Sequence, residues 1–176
     1  MKINQLLLVC CFLFAGFQAW TQPHKGSILI GGNAGFTSTN FPGDFNATIF
    51  SVSPLAGFFV SDRFAVGGSV GVSFFGGDAD GSSVRLAPFA RYYFNGSGST
   101  RFFGQGNIAW QNVNPGGNLD AQSAFGFGLG VGLDYFFNEH VALEAILGYD
   151  NLKGEDDDEA TGTFGVTVGI SAFIGK

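Results

Sequence analysis

From Thr163 to Ile174 a small or polar residue alternates with an apolar one. Thr163, Gly165, Thr167, Gly169 and Ser171 fall on one side; Phe164, Val166, Val168, Ile170, Ala172 and Ile174 fall on the other. Side chains of a strand point to opposite faces with a period of two, so this stretch is a strand with one greasy and one wet face. The same alternation recurs along most of the chain, separated by turn signals, and predicts strands at 25–38, 48–60, 64–76, 84–94, 101–113, 122–137, 141–150 and 161–174. The connections alternate between short ones (61–63, 95–100, 138–140) and longer ones rich in Gly, Asn and Asp (39–47, 77–83, 114–121, 151–160). This describes an all-β, eight-stranded, antiparallel up-and-down barrel.

Which face meets which solvent is decided by charge. The apolar face reads Phe50, Val52, Pro54, Ala56, Phe58, Val60 in the second strand and Phe125, Phe127, Leu129, Val131, Leu133, Tyr135, Phe137 in the sixth. Every charge well inside a strand takes the opposite parity: Arg85, Arg91, Asp134 and Glu144. A soluble barrel would put the apolar set inside and clothe itself in the Gly-, Ser- and Thr-rich set, including Gly126, Gly128, Gly130 and Gly132 in a row. Only 12% of the residues are charged, against ~25% in ordinary soluble domains, so that coat would be poorly solvated. A transmembrane barrel reverses the faces, because charge is costly against lipid and tolerated in the lumen. Aromatic residues end the apolar face: Phe36, Phe50, Phe74, Trp110, Phe125, Tyr149 and Phe164 toward the long loops, and Phe58, Phe64, Tyr92, Phe94, Phe102, Tyr135 and Phe137 toward the short turns. Such belts mark the two membrane–water interfaces.

The chain divides into a signal peptide at 1–21 and a barrel at 22–176. Residues 6–20 form an apolar run after Lys2, too short to span a bilayer as a helix and ending near small residues, with cleavage expected after Thr21 and Ala19 at the −3 position. Both cysteines, Cys10 and Cys11, lie in that signal, and the residues before them do not suit lipidation. The exported chain therefore has no disulfide and no thiolate chemistry. Loss of Lys2 takes the formal net charge from −6 to −7, which disfavours nucleic acid as a partner.

An eight-stranded barrel has an interior just wide enough for side chains. The inward set includes Leu55, Phe59, Phe75, Arg85, Phe89, Arg91, Tyr93, Phe103, Gln105, Asn107, Asp134, Phe136 and Glu144, with the inward glycines of the sixth strand making room for facing groups. Arg91, Asp134 and Glu144 stand at similar depth and are expected to join Arg85 in a lumenal charge cluster, since buried charge persists only when paired. A plug of satisfied charges is the reading preferred over a gate or proton path.

The pattern offers little for catalysis. His24 precedes the first strand and His140 lies in a short turn, and neither has a serine or carboxylate partner at a suggestive depth. The acidic run Glu155, Asp156, Asp157, Asp158, Glu159 supplies oxygens but lacks the alternation and sharp glycine of a calcium loop, and reads as a solvated extracellular loop. Asn46-Ala-Thr48 and Asn95-Gly-Ser97 match a glycosylation motif that is short, weak and irrelevant to a transmembrane barrel of this kind. No enzyme, cofactor or metal is expected.

Two segments carry a family resemblance: SPLAGFFVSDRFAVGGSVG at 53–71 and LAPFARYYF at 86–94. With their Pro-x-x-Gly-aromatic-aromatic strand, short acidic turn and Arg-Tyr-Tyr strand end, they resemble the outer-membrane β-barrel domain family of small, OmpA- and OmpX-like Gram-negative barrels. The resemblance implies a multi-pass outer-membrane protein and assigns no catalytic residues; the alternation of short turns and long loops is expected to put the turns and both termini on the periplasmic side. It departs at the C-terminus, where Ile174-Gly175-Lys176 follow Phe173, although Thr163-x-Gly165-x-x-Val168-x-Ile170 fits the assembly signal of such barrels. The expected partners are outer-membrane lipid and lipopolysaccharide and the assembly machinery, around a monomer whose extracellular partner the sequence does not name. The expected role is structural or surface-interacting, such as adhesion. Its alternatives are a narrow pore for ions or small solutes and, more remotely, a lipid-modifying enzyme.

Overall fold

The structure is a computed structural model that describes residues 24–40, 46–77, 80–94, 98–117, 120–155 and 158–175. The expected signal peptide at 1–21, Asp156 and Asp157, and the Asn95-Gly-Ser97 motif lie outside the described residues. Eight strands follow one another: β1 (Ile28–Asn40), β2 (Asn46–Ser61), β3 (Phe64–Gly77), β4 (Gly81–Tyr93), β5 (Thr100–Asn114), β6 (Gln122–Phe136), β7 (Val141–Gly154) and β8 (Thr161–Ile174). Each pairs antiparallel with its sequence neighbours, and β1 closes onto β8. This is the all-β antiparallel barrel that the alternation predicts.

The strands have 13–16 residues, beyond the ~9–11 a tilted strand needs to cross a bilayer. They are therefore longer than a membrane crossing requires. That corrects two features of the sequence reading. β7 continues four residues past Asp150 to Gly154, and β4 begins at Gly81 rather than Val84, so parts of the connections read as long loops are strand. Their Gly, Asn and Asp content suggested turns, yet the ladder with β6 carries β7 to Ala124↔Gly154.

Parity sorts the faces as charge demands. Val70, Leu129, Val131, Leu147 and Val168 are exposed, while Leu29, Phe59, Phe103, Phe173 and Arg91 are fully buried inside. Lys153 is exposed on the outer side of the lengthened β7, opposite Phe125, near the long-loop rim where its ammonium reaches water. Pro54 and Pro88 interrupt the ladders toward β3 and β5, as residues without an N–H must.

The inward glycines are spaces for large neighbours. A Cβ on Gly132 would lie 2.5 Å from Phe103 Cζ and 2.7 Å from the Ala145 carbonyl oxygen, whereas one on Gly165 would meet nothing within 4 Å. Gly132→Ala should lower stability by ~1–3 kcal/mol through overpacking, and Gly165→Ala should be nearly neutral. Urea unfolding in lipid vesicles measures both; equal effects would refute the steric account.

Candidate functional site in the barrel lumen

The lumen has two storeys. Near the short turns it is filled with buried side chains. Phe59, Tyr93, Phe103, Phe136 and Phe173 form a connected aromatic layer, with ring centroids 5.7 Å apart for Phe59–Tyr93, 5.4 Å for Tyr93–Phe103 and 5.0 Å for Phe136–Phe173. Leu29, Leu55 and Phe89 fill the remaining space.

Arg91 is embedded in this layer. Its Nη1 donates to Glu144 Oε2 at 2.5 Å and to the Tyr93 hydroxyl at 3.3 Å, and its Nε donates to Gln105 Oε1 at 2.8 Å. The guanidinium lies 4.0 Å from the Phe103 ring centroid, a cation–π contact in a dry setting. Ser171 Oγ donates to the same Glu144 oxygen at 2.9 Å, and the Tyr93 hydroxyl donates to Asp134 Oδ2 at 2.8 Å. The carboxylates are thus linked to one cation, Glu144 directly and Asp134 through a phenol.

Strand tilt builds this cluster. Moving across the ladders from Arg101, opposite partners are Asp134, Glu144, Gly169, Asn33 and Ser53. A residue beside a turn on β5 thereby shares a row with mid-strand residues on β1 and β2. Arg101 is buried, with its guanidinium 4.4 Å from the Phe136 ring, and shares its row with both carboxylates, while Arg91 reaches Glu144 from the row of Gln105. The sequence reading omitted Arg101 because it opens its strand. Its parity opposite the outward Phe102 was the available signal.

Arg85 does not join this cluster. It sits higher, where its Nη2 donates to Asp150 Oδ1 at 2.5 Å. That pair is part-exposed, in an upper storey walled by Asn33, Ser51, Ser53, Ser73, Asn107 and Gln111, all of intermediate burial. Strand tilt again decides the partner, since Asp150 lies across the lumen on the extended β7. Below a polar cup, then, lies a buried layer of aromatic rings and linked charges.

The histidines are placed differently from expectation in one respect. His24 Nδ1 lies 3.4 Å from the buried Ser27 Oγ, a serine neighbour the sequence did not suggest. The hydroxyl also accepts the His24 backbone N–H at 3.2 Å, which makes it a tie of the turn leading into β1. His140 Nδ1 lies 3.2 Å from the Phe173 carbonyl oxygen. Among the described residues, no three His, Cys, Asp or Glu side chains gather as a metal site. The described ends of the acidic run, Glu155, Asp158 and Glu159, are exposed.

A closed eight-stranded barrel with an apolar, aromatic-ended outer belt and a charged lumen is an integral outer-membrane barrel. The chain belongs to the outer membrane protein beta-barrel domain family, whose model matches residues 7–171. Its fold is similar to that of three solved barrels. Neisserial surface protein A is 17% identical with a TM-score of 0.59, over 84% of this chain and 97% of that one. The N-terminal barrel domain of Pseudomonas aeruginosa OprF is 18% identical with a TM-score of 0.55, over 85% and 98%. OprG from Pseudomonas aeruginosa is 15% identical with a TM-score of 0.54, over 88% and 99%. No curated protein sequence matches the chain significantly.

Proposed function

We propose that this protein is a structural and surface-interacting component of the outer membrane, with a lumen stoppered at its periplasmic end. The observation that carries this reading is the buried Arg91–Glu144–Tyr93–Asp134 network within an aromatic layer. Charges so placed cross-link strands and leave little room for hydrated ions. The short turns and both termini face the periplasm in this reading, and the longer β5–β6 and β7–β8 connections face outward, where the acidic segment can meet an extracellular partner. Outer-membrane lipid and lipopolysaccharide surround the apolar belt, the assembly machinery reads the β8 pattern, and the barrel acts as a monomer.

Planar-bilayer recording tests the stopper. The protein is expected to be nearly silent, and steady unitary current steps would instead establish the narrow-pore reading. A companion measurement concerns location: the protein should remain with outer membranes through carbonate extraction. Its release into the soluble fraction would contradict stable integration.

A further inference from the structure

The barrel is not zipped equally all round. β1 pairs with β2 along its whole length, to Asn40↔Asn46, and β8 pairs with β7 up to Leu152↔Thr161. Between β1 and β8, however, the ladder runs only from Ile28↔Ile174 to Asn33↔Gly169. Above that point the two strands carry no ladder to each other among the described residues. The glycines report the same change. A Cβ on Gly31 would lie 2.7 Å from the Ile170 carbonyl oxygen, whereas one on Gly35 would meet only Ser51 of β2, and one on Gly165 nothing within 4 Å. The most exposed apolar side chains in the described molecule flank this half-seam: Phe164 at 76%, Val166 at 73% and Phe36 at 71%. Thr163 and Thr167 are exposed too, although their parity is inward.

We infer that the upper β1/β8 seam is a lateral portal joining the polar cup to the outer leaflet, and that it takes up a single-chain amphiphile with an uncharged or zwitterionic head. Open sheet edges do not persist against hydrocarbon unless they border a water-filled cavity, and the cup supplies that water. At the lower lip of the portal lies a groove of about 550 Å³, lined by Gly32, Ala34, Val52, Pro54, Val168 and Ile170. The groove is open to the outer face, so a chain lying in it keeps one side against the leaflet. Small residues hollow the groove between larger apolar ones, which suits one hydrocarbon chain. Beside it, Asn33, Thr167 and the free edge N–H and C=O groups offer hydrogen bonds to a polar head. Glu155, Asp158 and Glu159 lie in the connection that leads into β8, so anionic heads are repelled from this rim. The plug below makes the cup a dead end, hence a binding site and not a through-path. The outer-leaflet assignment rests on the orientation proposed above.

The test uses lysophosphatidylcholine with a diazirine near its chain end, added to phosphatidylcholine vesicles holding the folded barrel. Photoadducts on the unsubstituted protein should concentrate in peptides containing Val52–Pro54 and Val168–Ile170. Even labelling around the belt would overturn the proposal. No cysteine follows Cys11, so Phe36→Cys with Val166→Cys provides a lock across the portal, and Ile30→Cys with Ala172→Cys a control in the zipped half. The upper pair should oxidise more slowly than the lower. Once formed, its disulfide should abolish the concentrated labelling, which reductant restores. Labelling indifferent to the lock would refute a portal. Cross-linked species of twice the mass would show that the free edges hold a second copy. Equal labelling by a photoreactive fatty acid would overturn the headgroup preference. Current recordings read the floor and photolabelling reads the seam, so the two readings can fail separately.

Discussion

Arg91→Ala is expected to destabilise the folded barrel by ~3–5 kcal/mol, because it removes the cation bonded to Glu144 and leaves that carboxylate charged in a dry site. The double substitution Arg91→Ala with Glu144→Ala should cost less than Arg91→Ala alone. Asp134 would keep the Tyr93 hydroxyl as donor and Arg101 as its cross-strand neighbour, so the double variant does not strand a second charge. Arg91→Lys should not rescue the site, since an ammonium is a compact point charge and the guanidinium spreads its donors over Glu144, Gln105 and Tyr93. A double-mutant cycle by urea unfolding in lipid vesicles measures the coupling. Additive losses for Arg91 and Glu144 would mean that the short contact contributes nothing to stability.

The sequence made these residues visible as lumenal but did not say which touch. Parity alone places Arg85, Arg91, Asp134 and Glu144 on one face, because a period of two is a local property of the strand. Depth is not local, since it depends on how far each strand slides past the next. That slide pairs Arg91 with Glu144 and carries Arg85 up to Asp150, a residue the sequence reading left at a strand end. The portal was invisible for the same reason. Residues 161–168 alternate as regularly as 169–174, and nothing in the alternation marks where the last strand stops finding the first. The aromatic ends and the charge-free middle of the outer face were legible because each residue there answers to lipid directly.

Val70→Arg should impair folding by ~2–4 kcal/mol, and Ser69→Arg should cost less. The two positions are neighbours on β3 and differ only in direction. Val70 is 45% exposed on the outer face near mid-strand, where an arginine meets hydrocarbon. Ser69 is half-buried on the inner face, with its hydroxyl 3.5 Å from the Ala87 carbonyl oxygen. An arginine there enters a lumen whose upper part is polar, so its charge can be solvated even as its bulk strains the wall. That strain is the competing term, because overpacking costs ~1–3 kcal/mol, so the gap between the variants is smaller than the lipid penalty alone. A size control separates the two: Ser69→Leu carries similar bulk without charge, and should cost at least as much as Ser69→Arg if the lumen is polar there. Refolding into vesicles across a urea series reads all three variants. If Val70→Arg proved no worse than Ser69→Arg, the outward face of β3 would not be the lipid face, and the assignment of every strand would invert with it.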